Sequence, residues 1–333
     1  MFHIEKPYLL FLGDAKDDLA AKTARGVLDW RPDACVAQLS LEGCNADLGL
    51  REMTVEQAYD AGARTLVVGV ANRGGVVSEA WIGVLQDALN LGMDLAAGLH
   101  NKLADIEVLR QTAEEKGRRI FDVRHPYGEL PVGDGAKRSG KRLLPVGTDC
   151  SCGKMYTALA LEKDLRARGV DVDFRATGQT GILIGASGMS VDAVPADFIS
   201  GVIEAMSPSN DADHWDIIEG QGSLFHPSFA GVSLGLLHGA QPDALVLCHE
   251  PTRQHMRGLE AYPIPDLQDC MDLNLQQAKL TNKNVKFVGL SINTAKLEEA
   301  AARQYLDKLS QEFDLPAVDP YRYGVGEIVD TLD

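Results

Sequence analysis

Two α/β domains, each a mostly parallel sheet wrapped by helices, are the architecture this sequence predicts. Three observations predict it. The chain has 333 residues, more than one hydrophobic core commonly supports. Short apolar runs alternate with amphipathic stretches, the pattern of strand, loop and helix in a parallel sheet. An aperiodic stretch rich in Pro, Gly and Lys, "HPYGELPVGDGAKRSGKR" at 125–142, interrupts that alternation and reads as a linker. The expected domains are residues 1–135 and 136–333. The doubly wound plan suits both halves and places functional loops at the carboxyl ends of strands.

In the first half, "YLLFLG" (8–13) reads as a strand and residues 19–30 as a helix. "TLVVGV" (65–70) is a strand that leads through "ANRGG" into the helical "EAWIGVLQDALNLG" (79–92), and "MDLAAGL" (93–99) and "RRIFDV" (118–123) follow as further strands. In the second half the strands are "RLLPVG" (142–147), "VDVDFRAT" (170–177), "WDIIEG" (215–220), "DALVLCH" (243–249) and "NVKFVGLSIN" (284–293). Helices are expected over 153–169 and 298–314, and a Gly-rich loop after residue 177.

Composition narrows the partners. With 32 Lys and Arg against 48 Asp and Glu, the net charge is -16, which opposes binding to nucleic acid or an anionic membrane. A phosphate ligand must then be gripped by a local device such as oriented backbone N–H groups. The apolar run near the N-terminus spans six residues, too short for a signal sequence or a membrane span, so a cytoplasmic protein is expected. The six cysteines lack zinc-type spacing and read as reduced thiols. A chain of this kind is commonly a symmetric homo-oligomer, so a dimer is expected.

The most informative stretch is "VGTDCSCGKMYTAL" (146–159). In the ordinary phosphate loop, G-x-x-x-x-G-K-[ST], amides cradle phosphate, the lysine adds a charge and the hydroxyl binds magnesium. Here five residues separate Gly147 from Gly153, and Met155 stands where the hydroxyl belongs. The loop resembles the "GTD…GK" loop of the dethiobiotin synthetase branch of P-loop proteins. It proposes Gly147, Thr148, Cys150, Ser151, Cys152, Gly153, Lys154 and Met155 as cofactor-binding residues, with a purely structural glycine turn as the alternative. Thr157 is the nearby hydroxyl that would substitute on a metal through water.

Other strand ends supply companions. "WDIIEGQGSL" (215–224) resembles the "VEGAGG" strand end of the same branch and places Glu219 where open sheets do chemistry. "RATGQTGILIGASGMSVDAV" (175–194) offers Arg175, Thr177, Gln179 and Thr180 as donors for a carboxylate or phosphate, or as the cap of a helix; both readings stay open. Asn293 is in place to read an adenine edge. His249, Glu250 and Arg253 follow another strand, and His226 follows Glu219 by seven residues.

Taken together, these motifs with "LCHEPTR" (247–253), "GLSINT" (289–294) and "DPYRYGVGEIVDTL" (319–332) resemble the D-glutamate N-acetyltransferase family, a bacterial and archaeal group long described as a domain of unknown function. The resemblance implies a Rossmann-like N-terminal domain, carrying "KTARGVLDW" (22–30) and "VVGVANRGG" (67–75), and a P-loop NTPase-like C-terminal domain. It implies an acetyl-CoA-dependent transferase that acetylates the amino group of an amino acid, D-glutamate, in D-amino-acid catabolism, with no metal required.

Coenzyme A carries a pyrophosphate that amides and Lys154 hold without phosphoryl transfer, which accounts for the missing hydroxyl. The amine needs a base, for which Glu219, Asp149 and His226 are the candidates. The dicarboxylate needs cations and donors, for which Arg175, Gln179, Thr180, Arg73 and Lys16 are expected; Lys22 and Thr23 read equally well as a helical face. A thiol route through Cys150 or Cys152 stays open. The rival is an ATP- and Mg-dependent ligase or small-molecule kinase of the dethiobiotin synthetase type, with Glu219 on magnesium and Asn293 on adenine. A non-catalytic nucleotide-binding regulator is the third reading.

Overall fold

The computed structural model describes residues 2–70 and 77–332. The chain forms two compact units: the part up to Tyr127 together with Gly178–Ala193, and Gly128–Thr177 together with the part from Val194 onward. A single break near residue 135 therefore does not describe the chain, which leaves the second unit after Thr177 and returns at Val194.

The first unit is built on β1 (Tyr8–Gly13), α1 (Lys22–Trp30), β2 (Cys35–Ser40), α2 (Val55–Asp60), β3 (Thr65–Val68), α3 (Glu79–Leu91), β4 (Asp94–Ala97), α4 (Glu107–Lys116) and β5 (Ile120–Asp122). Its strands are parallel in the order β2-β1-β3-β4-β5. Every residue of β1, β3 and β4 is buried, as expected of a parallel sheet covered on both faces. α2 starts on a reciprocal Thr54–Gln57 capping box, and α3 starts on Ser78, whose hydroxyl accepts from Trp81 N. At the end of β1, Gly13 has φ +52°, and a Cβ there would lie 2.6 Å from the Trp81 ring. Trp81 Nε1 donates to Asp14 Oδ1 at 3.0 Å, tying α3 to the strand end.

The second unit begins with β6 (Lys141–Gly147), α5 (Lys154–Ala167) and β7 (Val172–Arg175). The expected Gly-rich loop is instead largely a helix, α6 (Gln179–Gly185), and it belongs to the first unit. There Ile4 N donates to Ala186 O at 2.8 Å, and Tyr127 Oη donates to Gly188 O at 3.1 Å. The second unit resumes with α7 (Ile199–Met206), β8 (Trp215–Ile218), α8 (Ala230–Ala240) and β9 (Ala244–His249). An antiparallel hairpin, β10 (His255–Met256) and β11 (Leu259–Pro263), follows. α9 (Leu267–Ala278), β12 (Lys286–Ile292), α10 (Glu299–Phe313), β13 (Ala317–Val318) and α11 (Gly326–Val329) complete the chain. The sheet is parallel in the order β13-β12-β9-β6-β8-β7. β6 lies at its centre, and the chain crosses it between β8 and β9, so the end of β6 is the crevice where such sheets bind ligands.

The stretch expected as a linker is largely packed against this second unit. Arg138 is 9% exposed; its guanidinium donates to Glu204 O, Ser207 O and Ser207 Oγ at 2.7–2.9 Å. The Glu204 carboxylate in turn accepts from Asp134 N and Gly135 N, both at 3.0 Å. Burial pushes the Arg138 guanidinium down to about 10, with the neighbouring Arg142 adding to the effect. An aperiodic sequence does not signal this, because the partners, Glu204 and Ser207, lie more than 60 residues further along the chain.

Candidate functional site

The loop after β6 folds back tightly on its own first residue. A Cβ on Gly147 would lie 2.7 Å from Cys152 Sγ and 3.0 Å from Lys154 Nζ, so any side chain there would displace the cysteine or the lysine. Ser151 and Gly153 turn the chain with φ +52° and +114°. No side chain among the described residues caps α5, which leaves the orphan N–H groups of its first turn facing the loop. Lys154 is 5% exposed, yet its ammonium donates at 2.7 Å to a carbonyl, Asp149 O, rather than to a carboxylate. A buried cation with a neutral partner beside oriented amides is the arrangement that accepts a phosphate.

Asp149 builds this loop and is not placed as a base. Its Oδ1 accepts from Cys150 N at 2.7 Å, and its Oδ2 accepts from Arg253 Nη1 and Arg257 N, both at 2.8 Å. Arg253 also donates to Cys150 O and Ser151 O at 2.7 Å and to Glu250 Oε2 at 2.9 Å. Burial alone would lower the Arg253 guanidinium, but Asp149 and Glu250 outweigh it and hold it above its ordinary range. On the other side of the loop, Thr148 Oγ1 lies 3.0 Å from His249 Nδ1. Burial, helped by Arg253 and opposed by Glu250, pushes His249 down to about 4, so at neutral pH it is an uncharged hydrogen-bond partner of the loop.

The helix hydroxyl expected to stand in for the missing metal ligand is committed elsewhere. Thr157 is fully buried, with Oγ1 2.7 Å from Ser291 Oγ and 3.0 Å from Gly153 O. Burial also pushes the Cys150 thiol up from its ordinary value, with Lys154 opposing.

Glu219 follows β8, next to β6. Glu219 is 4% exposed; its carboxylate accepts from Thr177 N at 2.9 Å, while Thr177 Oγ1 donates to Glu219 O at 2.6 Å. Thr177 therefore positions the acid. The next residue, Gly220, presses against β6 and the lysine: a Cβ there would stand 1.8 Å from Pro145 O and 3.0 Å from Lys154 Cδ. That close approach brings the Glu219 peptide beside the lysine.

His226 is 3% exposed and stacks on Phe229 at 4.5 Å between centroids. Its Nδ1 accepts from Ser228 N at 3.2 Å, so the neutral ring carries its proton on Nε2 and offers a donor, not a base. Ligand atoms of Asp149, Cys150 and His226 lie within 4.8 Å of one another, a mixed O, S and N set of the kind transition metals accept. Asn293 lines a cavity of about 310 Å³ with Gly153, Tyr156, Asp319, Tyr321 and Arg322. Asn293 Oδ1 takes the Ala295 N–H at 3.1 Å, which leaves its amide N–H groups to read an acceptor.

Of the expected substrate clamps, Arg175 is the one within the second unit. Arg175 turns back along the strands, where Nε donates to Asp216 Oδ1 at 2.6 Å and Nη2 to Asp173 Oδ2 at 2.9 Å. Asp173 and Arg175 are two residues apart on β7 and so share a face of the sheet. Gln179, Thr180 and Lys16 belong to the first unit. Gln179 Oε1 accepts from Arg124 Nη1 at 3.0 Å. Thr180 faces α1, its Cγ2 3.4 Å from where a Cβ on Gly26 would be. Lys16 pairs with Asp14 at 3.3 Å in solvent. Arg73 lies outside the described residues. Arg253 stands in the sequence as a residue following a strand, but its role as a loop clamp does not show there, and Arg257, four residues further on, carries no sequence signal of its own.

Comparison with known proteins gives a consistent result. Residues 131–329 match the family described as domain of unknown function (DUF1611_C) P-loop domain, and residues 40–126 match the DUF1611_N Rossmann-like domain. A D-glutamate N-acetyltransferase from Tritonibacter scottomollicae is 59% identical over 329 residues, 99% of each chain. One from Pseudoalteromonas sp is 50% identical over 329 residues, again 99% of each chain. The crystal structure of a DUF1611 family protein from Anabaena variabilis has a TM-score of 0.82 at 32% identity, covering 98% of this chain and 99% of that one. No helix among the described residues is long and apolar enough to cross a membrane.

Proposed function

The chain belongs to the DUF1611 family, a Rossmann-like domain followed by a P-loop domain, and we propose that it is an N-acetyltransferase whose acceptor is D-glutamate. The carrying observation is the 59% identity along 99% of the chain to a D-glutamate N-acetyltransferase. The loop supports the reading with a phosphate cradle that lacks the hydroxyl for magnesium. Acetyl-CoA is the donor in this reading, supplying a reactive thioester. Lys154 and the amides of residues 147–154 hold its pyrophosphate, and the cavity lined by Asn293 and Tyr321 holds its base.

The chain's residues then divide the work. Glu219, held by Thr177 N, takes the proton of the D-glutamate ammonium, and the freed nitrogen attacks the thioester carbonyl. A C–N bond forms, the C–S bond breaks, and the leaving thiolate takes up the second proton that the nitrogen sheds as it becomes an amide. His226 Nε2–H is a donor for the oxygen on which charge develops. Direct attack fits the raised Cys150 thiol and the tautomer of His226, neither of which favours an acyl-cysteine. The same reading places the reaction in D-amino-acid breakdown and expects a homodimer.

The test is thiol release from acetyl-CoA across a panel of D- and L-amino acids, with D-glutamate expected as the best acceptor. Absence of thiol release with every acceptor, together with magnesium-dependent ATP binding by titration calorimetry, would hand the site to a ligase or kinase. Binding of either ligand without turnover would leave a regulator.

A further inference from the structure

We infer that Arg257 is a phosphate-binding residue, its guanidinium poised at the mouth of the loop for the diphosphate of the ligand. The inference rests on the reading above only in identifying that diphosphate with coenzyme A. The net charge of -16 repels an anion at long range, so affinity depends on the cations immediately around the cradle. Lys154 is one, buried at the loop floor.

Arg253 is not another. Its charge is met by Asp149 at 2.8 Å and Glu250 at 2.9 Å, and two further N–H groups serve Cys150 O and Ser151 O. Arg253 is therefore spent on building the loop.

Arg257 differs in both respects. Its side chain is exposed, and Nη1 donates at 2.6 Å to Ser151 Oγ, a neutral hydroxyl on the loop itself. No carboxylate among the described residues pairs with it. Its backbone is nevertheless fixed to the loop, because Arg257 N donates to the buried Asp149 Oδ2 at 2.8 Å. A solvent-facing guanidinium held over an amide cradle by its own main chain is prepaid in orientation, and its planar fork matches two phosphate oxygens. Ligand binding exchanges the Ser151 hydroxyl for phosphate. The two arginines, one ahead of β10 and one in the hairpin turn after it, thus divide the labour: one shapes the cradle, the other reads the ligand.

The experiment is titration calorimetry on the full chain with coenzyme A, 3′-dephospho-coenzyme A and ADP, for wild type, Arg257→Ala and Arg257→Lys. Arg257→Ala should weaken coenzyme A and its dephospho form by the same factor, roughly 10- to 100-fold, the loss expected for hydrogen bonds to a charged group. The loss should shrink at high salt, and Arg257→Lys should recover part of it. The urea midpoint should not move, since the main-chain bond to Asp149 remains. Unchanged affinity in Arg257→Ala, or a loss confined to the ligand bearing the 3′-phosphate, would overturn the assignment. If wild type ignores coenzyme A but binds ADP in an Arg257-dependent way, Arg257 stands and the acyl-donor reading falls. Wild type binding none of the three would overturn both.

Discussion

Arg253 Nη1 lies 2.8 Å from Asp149 Oδ2 across 104 residues of chain, and this pair, 19% and 1% exposed, closes the phosphate loop. The carboxylate also holds two main-chain N–H groups and the guanidinium also holds two main-chain oxygens. The pair is therefore a frame for the loop's backbone, and its removal is felt as geometry as well as charge.

Arg253→Ala leaves Asp149 buried without its cation, a change that costs about 3 kcal/mol. Urea unfolding should show that loss, and Arg253→Lys should restore little of it, since one ammonium cannot span three loop oxygens. Equal stability of Arg253→Ala and wild type would contradict the frame.

Glu219→Gln should lower kcat roughly 100-fold or more with KM for D-glutamate nearly unchanged, because only the proton transfer is removed. Cys150→Ser should keep most of the activity, and mass spectrometry of enzyme quenched during turnover should find no acetylated cysteine. An acetyl adduct on Cys150 would replace direct attack with a two-step route.

Stability should fall as the solution is acidified through the range that His249 governs. Its folded value, pushed down to about 4 mainly by burial, lies below the roughly 6.5 of an unfolded histidine, so the unfolded chain binds the proton first. The contribution is complete above about pH 6.5, declines as pH falls and is gone near pH 4, a span of roughly 3 kcal/mol. Glu250, held low by Thr252, Arg253 and Lys296 against its burial, adds a loss of the same sign at still lower pH. Urea midpoints at pH 7.5 and pH 5 should differ less in His249→Gln than in wild type.

Two glycines should answer alanine in opposite ways. Gly220→Ala would drive a methyl to within 1.8 Å of Pro145 O, so the variant should be strongly destabilised and inactive. Gly83, inside α3, has nothing within 4 Å of its Cβ position, and Gly83→Ala should gain about 1 kcal/mol from helix propensity. Thermal melts of the two variants separate a close approach from a merely unfilled position.

Much of the candidate site was legible because its parts are local. The strand, loop and helix from 141 to 167 show in the spacing of Gly147, Gly153 and Lys154, and Glu219 shows in an apolar run ending in an acid and a glycine. β2, with polar Gln38 at a buried position, shows no such run. α6 hides in a Gly- and Thr-rich stretch whose helical character depends on packing against α1.

By itself the sequence determined the two α/β units' strand and helix rhythm, the P-loop-like turn after β6 and the absence of a hydroxyl next to its lysine, because these follow from residues a few positions apart whose backbone needs are local. Only the tertiary structure decided which charges are free. Arg175 is spent on Asp216, 41 residues away, and Asp149 on Arg253, whereas Arg257 is left facing solvent over the loop. Pairing of charged side chains depends on distances that the sheet sets after folding, and no spacing along the chain encodes which of two arginines finds a carboxylate first.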